Sequence, residues 1–183
     1  WRYRLRGFDD RGRPSYAVDA PDSWPYPEGV SEVCRLVYAP EADALYVSGY
    51  TKSHPKPEGH WGLAGAALMR FDGWERGAPI KRWETGLSRD DDGLHPKAMH
   101  QAGDFLFVAS CKSIRGLRAQ VFVYRVSDGR FVGVLSAPPE IAMNCGWVDM
   151  SHGLRARLLP DGRYVVFLEE DWHGKVLVYV WRP

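Results

Sequence analysis

The chain is short of the features that announce membrane, nucleotide and disulfide chemistry. No apolar run in its 183 residues approaches the roughly 20 that a spanning helix needs, and the front lacks the charged, apolar and small-residue order of a signal peptide. Lys and Arg number 24 against 23 Asp and Glu, spread along the chain for a net charge of +1, so there is no basic stripe for nucleic acid and no patch for a membrane surface. The three cysteines, Cys34, Cys111 and Cys145, match neither a CxxC zinc knuckle nor a closed disulfide framework. A GxSxG elbow, a phosphate-cradling glycine loop and an HExxH pair are all missing, which removes the common serine-hydrolase, nucleotide-binding and zinc-protease patterns. A sustained 3.6-residue apolar period is also missing, so helices should be few.

What is present is a repeat. RLVYAPEADALYVSGY, KAMHQAGDFLFVASC and RARLLPDGRYVVFLEE each give an apolar strand, a tight Pro, Gly or Asp turn and a second strand. Each continues through a longer polar loop into a third strand: GAALMRFDGW, AQVFVYRVSDG and GKVLVYVW. A fourth follows in the first two copies, IKRWET after WERGAP and FVGVLS after SDGR. Four short antiparallel strands recurring at about 40 to 60 residues are the signature of a β-propeller blade. A β-sandwich, the rival architecture, does not require the same turn, loop and turn order in every copy.

The expected fold is therefore all-β, a partial propeller: residues 1–19 close one blade, 33–85 and 96–136 are complete blades, and 154–183 form a last blade lacking its outer strand. YRLRGFDDRGRPSYAVD matches the third and fourth strands of the later copies, so the first blade is expected to have its inner half elsewhere. A closed propeller needs at least about four blades. The expectation is thus the C-terminal part of a propeller of about six or seven blades, the other blades lying on the same or another chain. Over almost its whole length the chain resembles propellers of the NHL or SMP-30-like kind, seen in many secreted bacterial proteins. It departs from the WD40 and kelch patterns, whose GH and WD dipeptides and double glycine are missing at the matching places. The resemblance implies an extracellular or periplasmic location.

Blade geometry sorts the loops. Those joining strand two to three, and strand four to the next strand one, share the top face. They read TKSHPKPEGHWG, KSIRGLR and EDWHG, and DAPDSWPYPEGVSE, TGLSRDDDGLH and APPEIAMNCGWVDMSH. This gathers His54, His60, His95, His152 and His173 on one face with Asp149, Glu169, Glu170, Asp171 and four tryptophans. Functional residues concentrate on loops held by a rigid scaffold, so the top face is the expected site. The innermost strands add Arg35, His100, Arg155 and Arg157 along the channel; Arg pairs bidentately with carboxylate, sulfate or phosphate, and a half-buried His exchanges protons near neutral pH. Pairing of each Arg with a neighbouring acid between blades is the structural alternative.

Three function classes follow. The first is binding of a small polar or anionic ligand, including a saccharide, at the top face and channel mouth, with Trp61, Trp147 and Trp172 stacking on sugar rings and Arg157 and Asp149 bonding polar groups. The second is a propeller enzyme, a lyase or hydrolase on a carbohydrate or lactone-type substrate. There His100 or His152 would move the proton, Arg35 and Arg155 would stabilise negative charge, and Asp149 or Glu169 would orient the substrate or bind metal. The third is a non-catalytic scaffold that docks another protein. Glu169, Asp171 and His173 are the candidate ligands for a divalent metal such as calcium. Strand alternation sends Glu169 and Glu170 opposite ways, so the remaining ligands must come from other blades. Trp74, Trp83 and Trp181, on or beside strands, are expected to be packing residues.

Overall fold

The computed structural model describes residues 4–17, 29–56, 58, 66–76, 79–87, 94–112, 119–138, 153–170 and 174–183. Within them the protein is all-β, and its one helical feature is a 3-10 turn at Pro40–Ala42. A hairpin of β1 (Arg4–Phe8) and β2 (Pro14–Ala17) is followed by two four-stranded antiparallel sheets: β3 (Val30–Ala39), β4 (Ala44–Thr51), β5 (Ala67–Asp72) and β6 (Ile80–Gly86), then β7 (Leu94–Ala102), β8 (Phe105–Lys112), β9 (Ala119–Arg125) and β10 (Phe131–Ser136). A three-stranded sheet follows, of β11 (Leu154–Leu158), β12 (Tyr164–Glu170) and β13 (Lys175–Trp181). In each sheet the spatial order is the sequence order, the meander of a propeller blade.

The first strands of the three sheets meet: β7 touches both β3 and β11. Successive sheets therefore lie face to face with their inner strands side by side. β4 is buried at all eight positions: one set of its alternate side chains meets the second sheet, and the other joins a cluster on the far face of the first. A sheet covered on both faces reads as a continuous apolar run, because both sets of alternate side chains enter a core.

Two cores result. Between the first and second sheets lie Tyr46 and Leu68 from one side and Met99, Leu106, Val108, Phe122 and Tyr124 from the other. Between the second and third lie Phe107, Ala109, Val121 and Val123 against Leu154, Ala156, Tyr164, Val166, Leu168 and Leu177. Full burial of each such side chain contributes about 1.5–3 kcal/mol. Trp181 joins Phe105, Phe107 and Tyr164 in the second core, standing edge-on to Phe105 with centroids 4.8 Å apart. Trp83 lies in the first, so both tryptophans pack between sheets as their strand positions predict.

The first core is also latched. The main-chain oxygen of Val126 accepts hydrogen bonds from Trp83 Nε1 at 2.8 Å and Arg70 Nη1 at 2.9 Å. Asp72 in turn holds Arg70 through Nε at 2.6 Å and Arg82 at 2.8 Å. The latch requires glycine at position 129, in the turn after β9: its φ is +71°, and a Cβ there would lie 2.7 Å from the Trp83 ring.

A repeated irregularity marks the blades as copies. The register slips by one residue in β6, where Arg70 and Phe71 face Trp83 and Lys81, and again in β10, where Tyr124 and Val123 face Phe131 and Gly133. Such a bulge reverses the alternation beyond it.

Gly129→Ala should lower stability by about 1–3 kcal/mol, since it combines a left-handed backbone with a clash. Gly162→Ala, at φ +82° with open space around it, should cost about 1 kcal/mol. Urea midpoints of the two variants measure the difference, and equal losses would mean that Trp83 yields freely.

Candidate functional site

The bulge in β6 builds a polar cluster that spacing alone would not join. Lys81 and Glu84 are three apart, which on a regular strand puts them on opposite faces. With Arg82 as the extra residue, Lys81 faces Phe71, and Glu84 faces Met69, so both stand on the face that also carries Leu45 and Val47. Thr51 closes β4 on the same face, and the turn after it returns His54: Thr51 N donates to His54 O at 2.9 Å, and His54 N donates to Thr51 Oγ1 at 3.1 Å.

Glu84 is the hub. Its Oε1 accepts from Thr51 Oγ1 at 2.6 Å and from His54 Nδ1 at 3.0 Å, and its Oε2 accepts from Lys81 Nζ at 2.8 Å. A carboxylate accepts only, so the proton on the imidazole lies on Nδ1. The Glu84 side chain is 16% exposed. Burial opposes its ionisation, but hydrogen bonds from Lys81, Thr51 and His54 and the charge of Lys81 outweigh it and hold the pKa at about 2. Gly86 leaves room for the imidazole, since a Cβ there would lie 3.1 Å from His54 Nε2.

Beside this cluster runs a groove of about 590 Å³ lined by Gly29, Thr51, Lys52, Ser53, Phe71, Pro79, Lys81 and Glu84. It has one aromatic side chain, two ammonium groups, two hydroxyls and an ionised carboxylate. Lys81 and Glu84 stand where β10 has Phe131 and Val134, opposite Tyr124 and Phe122 as they are opposite Phe71 and Met69. Phe131 packs into the core between the first two sheets, whereas the matching position of the first sheet is charged and faces the groove.

The inner strands carry the predicted channel residues. Arg35 lies half-buried on β3, donating to the Cys34 carbonyl, and His100 lies half-buried on β7. His100 Nδ1 accepts the Ala156 N–H at 3.2 Å, tying β7 to β11 and leaving the ring proton on Nε2. Burial and the neighbouring Arg155 charge lower its pKa, against a weaker opposing pull from Glu41, so the ring is neutral at pH 7. Arg155 donates to the Leu154 carbonyl at 2.9 Å, and Arg155 and Arg157 are exposed on one face of β11, opposite Leu154 and Ala156. Glu169, exposed on β12, pairs in register with Val176. His152, Trp61, Trp147, Trp172, Asp149, Asp171 and His173 lie outside the described residues. Among the described residues, no three His, Cys, Asp or Glu side chains come together as a metal cradle.

No protein-family profile and no curated protein matches the chain. Among solved structures it is similar to the apo form of AtxE2 isopeptidase, with 12% identity and a TM-score of 0.34 over 87% of this chain and 20% of that one. It is likewise similar to the WD40 domain of SCAP from fission yeast, with 8% identity and a TM-score of 0.33 over 83% of this chain and 32% of that one. The chain spans less than a third of either protein.

Sequence reading found His54 through its loop but missed Thr51, Lys81 and Glu84. Only the polarity of Lys81 and Glu84 at positions that are Phe131 and Val134 in the next copy could have pointed to them.

The pKa of Glu84 fixes a pH dependence. Its folded value, about 2, lies below the ordinary 4.5, so its contribution is complete above pH 4.5 and is lost as pH falls toward 2. Glu84→Gln should therefore be less stable than the parent at pH 7, with the difference closing between pH 4.5 and 2. Thermal melts across this range test it, and a constant difference would remove Glu84 as the hub.

Proposed function

We propose that this protein is a propeller-type binding protein that holds a small polar, anion-bearing ligand in the groove beside Glu84. The observation that carries the reading is the exchange of apolar for charged residues at matched blade positions: Lys81 and Glu84 line a groove where Phe131 and Val134 stand in the next blade. Charged side chains on a sheet face cost desolvation energy in sheet-to-sheet contact, so their presence there favours an aqueous, ligand-receiving surface.

The groove's chemistry selects the ligand class. Lys52 and Lys81 attract a carboxylate or phosphate. Ser53 and the Glu84 carboxylate suit hydroxyl groups, and the buried Phe71 is part of the groove's apolar lining. A sugar acid or sugar phosphate presents both an anion and hydroxyls. The resemblance to NHL and SMP-30-like propellers belongs to the same reading.

Binding of glucuronate and of glucose 6-phosphate, followed by calorimetry, tests the proposal. Lys81→Gln should weaken binding by about 10- to 100-fold, the worth of one hydrogen bond to a charged group. Arg125→Gln, on an exposed position of β9, should leave it unchanged. Failure of both ligands to bind, or equal binding to the parent and Lys81→Gln, would overturn it.

A further inference from the structure

The third sheet has one face too many. The side of β11–β13 that carries Leu154, Tyr164, Val166 and Leu177 is sealed against the second sheet. The opposite side exposes a regular apolar array: Phe167 is 45% exposed, and Val176, Val178 and Val180 are 61%, 56% and 60% exposed. These residues are in register, Val165 opposite Val180, Phe167 opposite Val178 and Glu169 opposite Val176. Arg157 and Arg155 head the first two rows from β11.

The second sheet carries the same array, and there it is covered. On the second sheet, His100 pairs with Phe107, Phe107 with Val123 and Ala109 with Val121, all on the side facing the third sheet. Phe107, Ala109, Val121 and Val123 are fully buried by that neighbour. The first sheet repeats the relation, with Tyr46 and Leu68 sealed by the second. An exposed apolar sheet face of this regularity is unfavourable in water and marks an interaction surface.

We infer that the Phe167–Val178 face is the seat of a further blade, a four-stranded antiparallel sheet that packs on it as β11–β13 pack on β7–β10. The occupant's chemistry follows from the two interfaces already formed. Its facing strands must carry aliphatic and aromatic side chains, as Tyr164, Val166 and Leu168 do toward the second sheet. Its inner strand must differ from β11, however. His100 accepts a main-chain N–H across the existing seam, whereas Arg155 and Arg157 can only donate. The arriving inner strand therefore presents carbonyl oxygens or a carboxylate to the guanidinium groups. The outer edge of β13 has no partner strand among the described residues and is open to the same sheet.

Thiol labelling tests this. Val178→Cys and, as an internal standard, Ile80→Cys on β6 (61% exposed) are placed together in the protein, which is purified intact from the cells that make it, in its natural assembly. Maleimide labelling of each site is then followed by peptide mass mapping. The thiol introduced at position 178 should react at least tenfold more slowly than the one at position 80. Val176→Cys, a second position on the face, should be protected to the same degree as Val178→Cys. Equal rates at positions 178 and 80 would overturn the inference. So would protection of position 178 that disappears when the 183-residue chain alone is diluted from a dimer to a monomer, because the cover would then be a second copy.

Discussion

Everything in this structure depends on the covering of sheets that are apolar on both faces. β4 cannot exist as an isolated amphipathic strand, because all eight of its residues are buried, and the same demand falls on β8 and β9 around Phe107, Val108, Phe122 and Val123. Each sheet satisfies its neighbour's need and creates its own on the far side. The fold is therefore a series of seams whose strength comes mainly from burying area, with aromatic rings such as Trp181 and Phe105 packed edge to face within them.

Apolar burial brings the sheets together without fixing how they slide, and a few polar contacts set the alignment. Val126 O takes two donors from the first sheet, and His100 takes one from the third. Each satisfies a group that burial would otherwise leave unpaired, so a displaced seam would lose hydrogen bonds in a low-dielectric setting. His100 thus does for the second seam what Trp83 and Arg70 do for the first. This joining role requires a neutral ring with Nδ1 as acceptor, consistent with the effects of burial and of Arg155.

The Glu84 cluster shows how one extra residue changes the chemistry of a repeated unit. The bulge is present in both four-stranded sheets, but the residues that it turns to the rear differ: Phe131 and Val134 in one, Lys81 and Glu84 in the other. The scaffold is held constant by the seams, and the outer strand is free to carry either packing or charge. That division lets a repeat keep its fold while its surface acquires a site.

The amino-acid sequence by itself determined the strands, their turns, the order within each blade and, among the described residues, the absence of long helices, because alternation and turn chemistry are local and recur in RLVYAPEADALYVSGY and its copies. It also placed Trp83 and Trp181 as packing residues, since each lies on or beside an apolar strand. Only the tertiary structure decided that Thr51, His54 and Lys81 share the Glu84 carboxylate, that His100 bridges two sheets, and that one face of β11–β13 is open among the described residues. Those facts rest on register and on contacts between residues as many as 56 positions apart. A one-residue slip in pairing, invisible in composition or spacing, exchanges the inward and outward faces of a strand.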